Sequence, residues 1–66
     1  MNRISISEKI REHRRKKGLS QRAFGRLMGV SAQAICKWEQ EACYPDITVL
    51  PRLAELLGCS VNDFFE

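Results

Sequence analysis

Apolar side chains recur along this chain at helical spacing, and small polar residues and glycines mark where each run begins and ends. Ile6, Ile10, His13 and Lys17 share one stripe, a face only half apolar. After a short lead, Met1 to Ser5, they predict a first helix capped by Ser5 or Ser7 and running to about Lys17. Glu8 near its start and Arg14 to Lys17 near its end agree with the helix dipole. Gly18 closes it and Leu19 drops into the core. Phe24, Leu27 and Met28, with small Ala23 and Gly25 between them, predict a second helix over Gln21 to Met28 with Ser20 as N-cap. Gly29 ends it in the left-handed conformation, Val30 returns to the core, and Ser31 caps a third helix. There Ala34, Ile35 and Trp38 form the inner face, leaving Ala32, Gln33, Cys36, Lys37 and Gln40 outside.

Past a loop from Gln40 to Pro45, Leu50, Leu53, Ala54 and Leu57 face inward on a helix capped by Asp46 or Thr48 and stopped by Gly58. Proline is comfortable only in a first turn, so Pro51 starts the regular helix near Thr48 or Val49, after a looser lead-in through Asp46 and Ile47. Ser60 caps a last short turn, Val61 to Phe65, whose Val61, Phe64 and Phe65 form a lid. The expected fold is all-α, a compact bundle of five short helices in one domain over residues 1–66.

Two helices joined by a short turn containing glycine match the DNA-binding helix-turn-helix, here at about residues 20–40, whose second helix lies in the major groove. The outer face of the third helix suits that role. Gln33 can bond adenine bidentately, Lys37 can reach guanine acceptors, and Ala32 can lie against a thymine methyl. Cys36 shares this base-reading face. Ser31 with the helix N-terminus can hold a phosphate, and Gln21, Arg22 and Gln40 are assigned to phosphates as well.

Charge strengthens that reading. The net charge is only +3, yet residues 1–37 carry ten Lys and Arg against two Glu, a surplus of +8, while residues 38–66 carry one Arg against six acids, or −5. The basic half holds the candidate recognition helix, as expected of a polyanion binder, although basic clusters also occur as plain solvated faces. With 66 residues there is room for one small domain, and 44% apolar residues suffice for its core. The absence of a long apolar run excludes a membrane span or signal peptide.

Cys36, Cys43 and Cys59 show neither CxxC nor Cys/His ligand spacing, and their odd number does not suit a disulfide framework, so they read as reduced thiols of a cytoplasmic protein. Cys59 belongs to packing; Cys36 faces outward, where a redox switch is conceivable but no resolving cysteine stands beside it in sequence. The single histidine reads as a partly buried or edge residue. No Gly-rich phosphate loop, HExxH pair or nucleophile beside a base is present, so no enzyme activity, cofactor, metal or small-molecule ligand is expected. Trp38 lies on the Ile35 stripe and anchors the recognition helix rather than stacking on bases.

The chain resembles the phage-repressor (Cro-like, XRE-type, lambda-repressor-like) helix-turn-helix regulators. The pieces that carry the likeness are IREHRRKKGLSQ, the small Gly25, the turn GVS, the helix AQAICKWE, then YPDI and LPRLAELLGCS, in the family's order and spacing. The resemblance implies a partly buried ion pair between Arg14 and Glu39. It also implies a homodimer on a roughly palindromic duplex with half-site centres about 34–36 Å apart. Two departures stand out. Glu41 and Ala42 replace the Gly-Lys that relatives often place after the recognition helix, and Ala32 and Cys36 replace frequent polar readers. The expected function is a sequence-specific double-stranded DNA-binding transcriptional regulator, a repressor because occluding a promoter needs no further surface. The alternatives are a protein-interaction module of the antitoxin or anti-repressor type on the same fold, and an RNA-binding module using the same basic face.

Overall fold

The computed structural model describes residues 4–65; the first three residues of the expected lead, and Glu66, lie outside them. Four α-helices form, α1 (Ile6–Lys17), α2 (Gln21–Met28), α3 (Ala32–Glu39) and α4 (Leu50–Leu57), with 3-10 turns at Ile47–Val49 and Val61–Phe64. The fold is all-helical, and the expected count of five helices is corrected to four. Four residues are too few to propagate an α-helix, so the last segment closes as a 3-10 turn. Ser60 and Asp63 cap it reciprocally, and Phe65 then leaves in an extended conformation.

One core serves all the elements. Ile6, Ile10, Phe24, Met28, Ile35, Trp38, Leu50, Leu53, Ala54 and Phe64 are buried together, with Leu19, Val30, Leu57 and Cys59 packed at its margin. Leu27 is a correction. It is 43% exposed, because on this eight-residue helix Phe24, Gly25 and Met28 take the inner face and Leu27 falls beside it. Its carbonyl is held instead, accepting from Arg52 Nε at 3.2 Å and Nη2 at 3.0 Å.

Ser5 occupies the N-cap of α1 without making a side-chain cap, and Ser7 is buried. The Ser5 hydroxyl donates to the Asp63 carbonyl at 3.1 Å and its amide donates to the Phe64 carbonyl at 2.8 Å. The beginning and end of the described chain are thereby joined, and Ile4 and Phe65 continue the seam as an antiparallel bridge. The start of α4 also differs. Asp46 Oδ1 accepts from the Thr48 amide at 3.0 Å, the lead-in winds as a 3-10 turn, and the regular helix begins at Leu50 with Pro51 in its first turn.

Candidate nucleic-acid interface

The two central helices are delimited by local chemistry. Ser20 Oγ accepts from the Ala23 amide at 2.9 Å, and Ser31 Oγ accepts from the Ala34 amide at 3.1 Å, so each serine satisfies a backbone donor that its helix leaves free. Between them Gly29 takes φ 76°, and the Val30 amide turns back to the Gly25 carbonyl at 2.8 Å. This tight turn lays α3 across α2.

Ile35 and Trp38 anchor α3 in the core. On its other side Gln33, Lys37 and Gln40 are exposed, while the shorter Ala32 and Cys36 are half-buried. Ala34, expected on the inner face, is half-buried too and packs at the core margin. Among the outer residues one internal contact forms, Gln40 Nε2 donating to Cys36 Sγ at 3.3 Å. Arg22 and Ser31 are exposed. The helix therefore presents amide and ammonium heads around a small, weakly polar stripe.

The far end of α3 is where α1 takes hold. Glu39 is buried at 6% exposure. Its carboxylate accepts from Arg14 Nε at 2.5 Å and from Arg14 Nη2 at 2.9 Å, the two-pronged geometry that suits guanidinium and carboxylate. The third arm of Arg14, Nη1, donates to the Leu19 carbonyl at 2.9 Å, so the pair also braces the loop between α1 and α2. Burial by itself would raise the Glu39 pKa. The hydrogen bonds from Arg14 and Gln21 and the charges of Arg14 and Arg11 outweigh it, and the carboxyl is held below its usual range. Leaving either partner alone would strand a poorly solvated charge.

Gln21, assigned to phosphate from the sequence, is half-buried, and its Nε2 donates to Glu39 Oε1 at 3.2 Å. Its amide head is turned to the ion pair, leaving Arg22 and Ser31 as the more exposed candidates beside it. Among the contacts that escaped sequence reading are Arg52 on the Leu27 carbonyl and Arg11 Nη1 on the Glu39 carbonyl at 2.8 Å. The signal for Arg11 was its position one turn before Arg14 on the same helix.

His13 stands at the core edge with its ring edge-on to Phe24, the centroids 5.8 Å apart. Burial, then the charges of Lys17 and Lys16, lower its pKa. Among the described residues no three His, Cys, Asp or Glu side chains converge on a point where a metal ion would sit, and no helix is long and apolar enough to cross a membrane.

A helix-turn-helix family model matches residues 10–64. The chain is similar to the HTH-type transcriptional regulator PuuR of Escherichia coli, 36% identical over 94% of this chain and 34% of that protein. It is also 38% identical to repressor protein C2 of Salmonella phage P22, over 91% of this chain and 28% of that protein. The chain thus spans about a third of the length of these curated relatives. Among solved structures, the P22 c2 repressor in complex with a synthetic operator superposes with a TM-score of 0.80 at 36% identity, covering 89% of each chain. Hydroxypropylphosphonic acid epoxidase from S. wedmorenis shares the fold at 23% identity and a TM-score of 0.73, over 96% of this chain and 34% of that one. Such a likeness carries the fold without a function.

Proposed function

The chain belongs to the helix-turn-helix family, and we propose that it reads double-stranded DNA in a sequence-specific manner as a transcriptional repressor, with α3 as the recognition helix in the major groove. The observation that carries this reading is the division of α3 into a face anchored by buried Ile35 and Trp38 and an opposite face on which Gln33 and Lys37 stand exposed. The surplus of +8 over residues 1–37 supports a polyanionic partner, as does the operator-bound state of the P22 relative. Gln33 and Lys37 read base edges, with Ala32 and Cys36 against apolar base surface. Arg22, Ser31 and Gln40 hold phosphates, and Gln21 adds to them through what its Glu39 contact leaves free.

The protein acts in the cytoplasm as a homodimer on a roughly palindromic site, half-site centres about 34–36 Å apart, since one eight-residue helix spans only part of a binding site. It needs no cofactor and performs no catalysis. Phe65, 47% exposed beside a fully buried Phe64, is the apolar residue offered to the second copy.

Selection of bound duplexes from a random pool, followed by titration of the winner at several salt concentrations, tests the proposal. A half-site repeated with two-fold symmetry and a steep fall of affinity with salt are expected. Tighter binding to RNA, or no enriched sequence and no salt slope, would move the assignment to an RNA-binding or a protein-interaction role.

A further inference from the structure

Two arginines one turn apart on α1 grip the same residue of α3 in different places: Arg14 takes the Glu39 carboxylate, and Arg11 takes the Glu39 main-chain carbonyl. That carbonyl is among those a helix leaves without an internal partner at its C-terminal end. Its neighbours are satisfied by the chain itself. The Gln40 amide donates to Cys36 at 3.0 Å, the Glu41 amide to Trp38 at 3.3 Å and the Ala42 amide to Lys37 at 3.0 Å. The carbonyl of Glu39 is the next in line, and it goes to Arg11. The other three α-helices end on a glycine at positive φ, whereas α3 closes through Glu41 at φ 60°, a conformation unfavourable for a residue with a side chain. The recognition helix therefore has the weakest intrinsic stop of the four α-helices, and its end is held from outside by α1.

We propose that Arg11 is a positioning residue for base reading, which ties the backbone end of α3 to α1 and so sets the tilt at which Gln33 and Lys37 meet the bases; this rests on the DNA-reading role of α3. Ile35 and Trp38 attach α3 along one line on its inner face, and a helix held along a line can still rock about it. The Arg14 contact reaches the helix through the Glu39 side chain, with its own torsional freedom. Arg11 grips the backbone directly, off that line, and removes the remaining freedom. Arg11 is itself exposed and contributes no side chain to the core, so its substitution should leave the packed interior in place and the chain folded.

The test compares the parent chain with Arg11→Gln and Arg11→Lys in two measurements. In the free protein, hydrogen exchange at the Gln40, Glu41 and Ala42 amides should quicken about tenfold in Arg11→Gln while the core amides of α1 and α2 keep their protection. On DNA, the selected operator should lose about tenfold in affinity, a scrambled duplex less than about twofold, and the salt slope should stay as in the parent. Arg11→Lys keeps the charge but not the planar fork, and should move both measurements the same way by less. Should Arg11→Gln fail to fold, the lysine variant carries both measurements. Equal weakening of both duplexes with a salt slope smaller by about one would make Arg11 a phosphate contact and overturn the proposal, as would exchange and discrimination unchanged in both variants. A parent that prefers no duplex overturns base reading itself, and the exchange measurement then shows separately whether Arg11 holds the end of α3.

Discussion

A Cβ placed on Gly25 would lie 2.7 Å from the carbonyl oxygen of Val30, closer than side-chain carbon approaches backbone oxygen in folded proteins. The residue is glycine because α2 must pass that near to the turn leading into α3. Alanine would gain about 1 kcal/mol of helix propensity, yet the clash is with backbone that the Val30–Gly25 hydrogen bond already holds, so it cannot be relieved by moving a side chain. Gly25→Ala should therefore destabilise by about 1–3 kcal/mol net, and thermal melting checks it at about 4–8 °C per kcal/mol for a domain of this size. A higher melting temperature would show that the turn yields.

Glu39→Ala should lower stability by roughly 1–3 kcal/mol, because it leaves the partly buried Arg14 guanidinium without its acceptor. The effect on discrimination between duplexes should be smaller than that on melting. An unchanged melting temperature would remove the structural role given to the pair.

Stability should fall over two pH ranges as the solution is acidified. The His13 pKa is lowered in the folded state by burial and by Lys17 and Lys16, so its contribution is whole above the unfolded value of about 6.5 and is lost as pH falls below it. Burial pushes the Glu39 pKa up, but Arg14, Gln21 and Arg11 together bring it down, so the native pair gives stability that is whole above the unfolded value of about 4.3 and lost as pH falls through the folded one. Melting temperature against pH should lose its upper step in His13→Gln and its lower step in Glu39→Gln. A variant curve parallel to the parent's would contradict the assignment of that step.

Glu41→Gly should stabilise the protein by up to about 1 kcal/mol, the relief of a left-handed residue less the extra chain entropy of glycine. Removing this acid just beyond α3 should also tighten duplex binding if α3 lies against DNA phosphates. Melting and a titration on one duplex measure the two effects separately; a lower melting temperature would mean that the Glu41 side chain makes a contact worth more than the strain.

Gln33→Ala and Lys37→Ala should each remove roughly 1–3 kcal/mol of discrimination at particular base pairs, whereas Arg22→Ala should weaken all duplexes alike and reduce the salt slope by about one. Binding to single-substitution variants of the selected operator decides between the two patterns. If both helix mutants keep the parent's preferences and merely bind everything more weakly, base reading lies elsewhere on the molecule.

Phe64 and Phe65 should part company. Phe64→Ala removes a fully buried ring, a loss of about 3–5 kcal/mol that a core this small does not survive, while Phe65→Ala should leave melting nearly unchanged and reduce the cooperativity of operator binding. Equal cooperativity in the Phe65 variant and the parent would place the dimer contact on another surface.

What the sequence by itself determined is what depends on neighbours within about a turn. Ser20 and Ser31 cap the helices assigned to them, Gly18, Gly29 and Gly58 adopt the left-handed stops, and Phe24, Ile35, Trp38 and Leu53 point inward as their spacing requires. Each of these follows from backbone donors and side-chain periods that a short window contains. The pairing of Arg14 with Glu39 became legible only through family resemblance, since nothing in the spacing joins them. What tertiary structure decided is where the long side chains go. Arg11 reaches across 28 positions to a helix end, Arg52 reaches 25 positions to Leu27, and Ser5 leaves its cap to bond Asp63, 58 positions away. Gln21 turns to Glu39 for the same reason. A flexible polar side chain takes whichever unpaired donor or acceptor the packed helices bring within reach, and that geometry exists only after the core has closed.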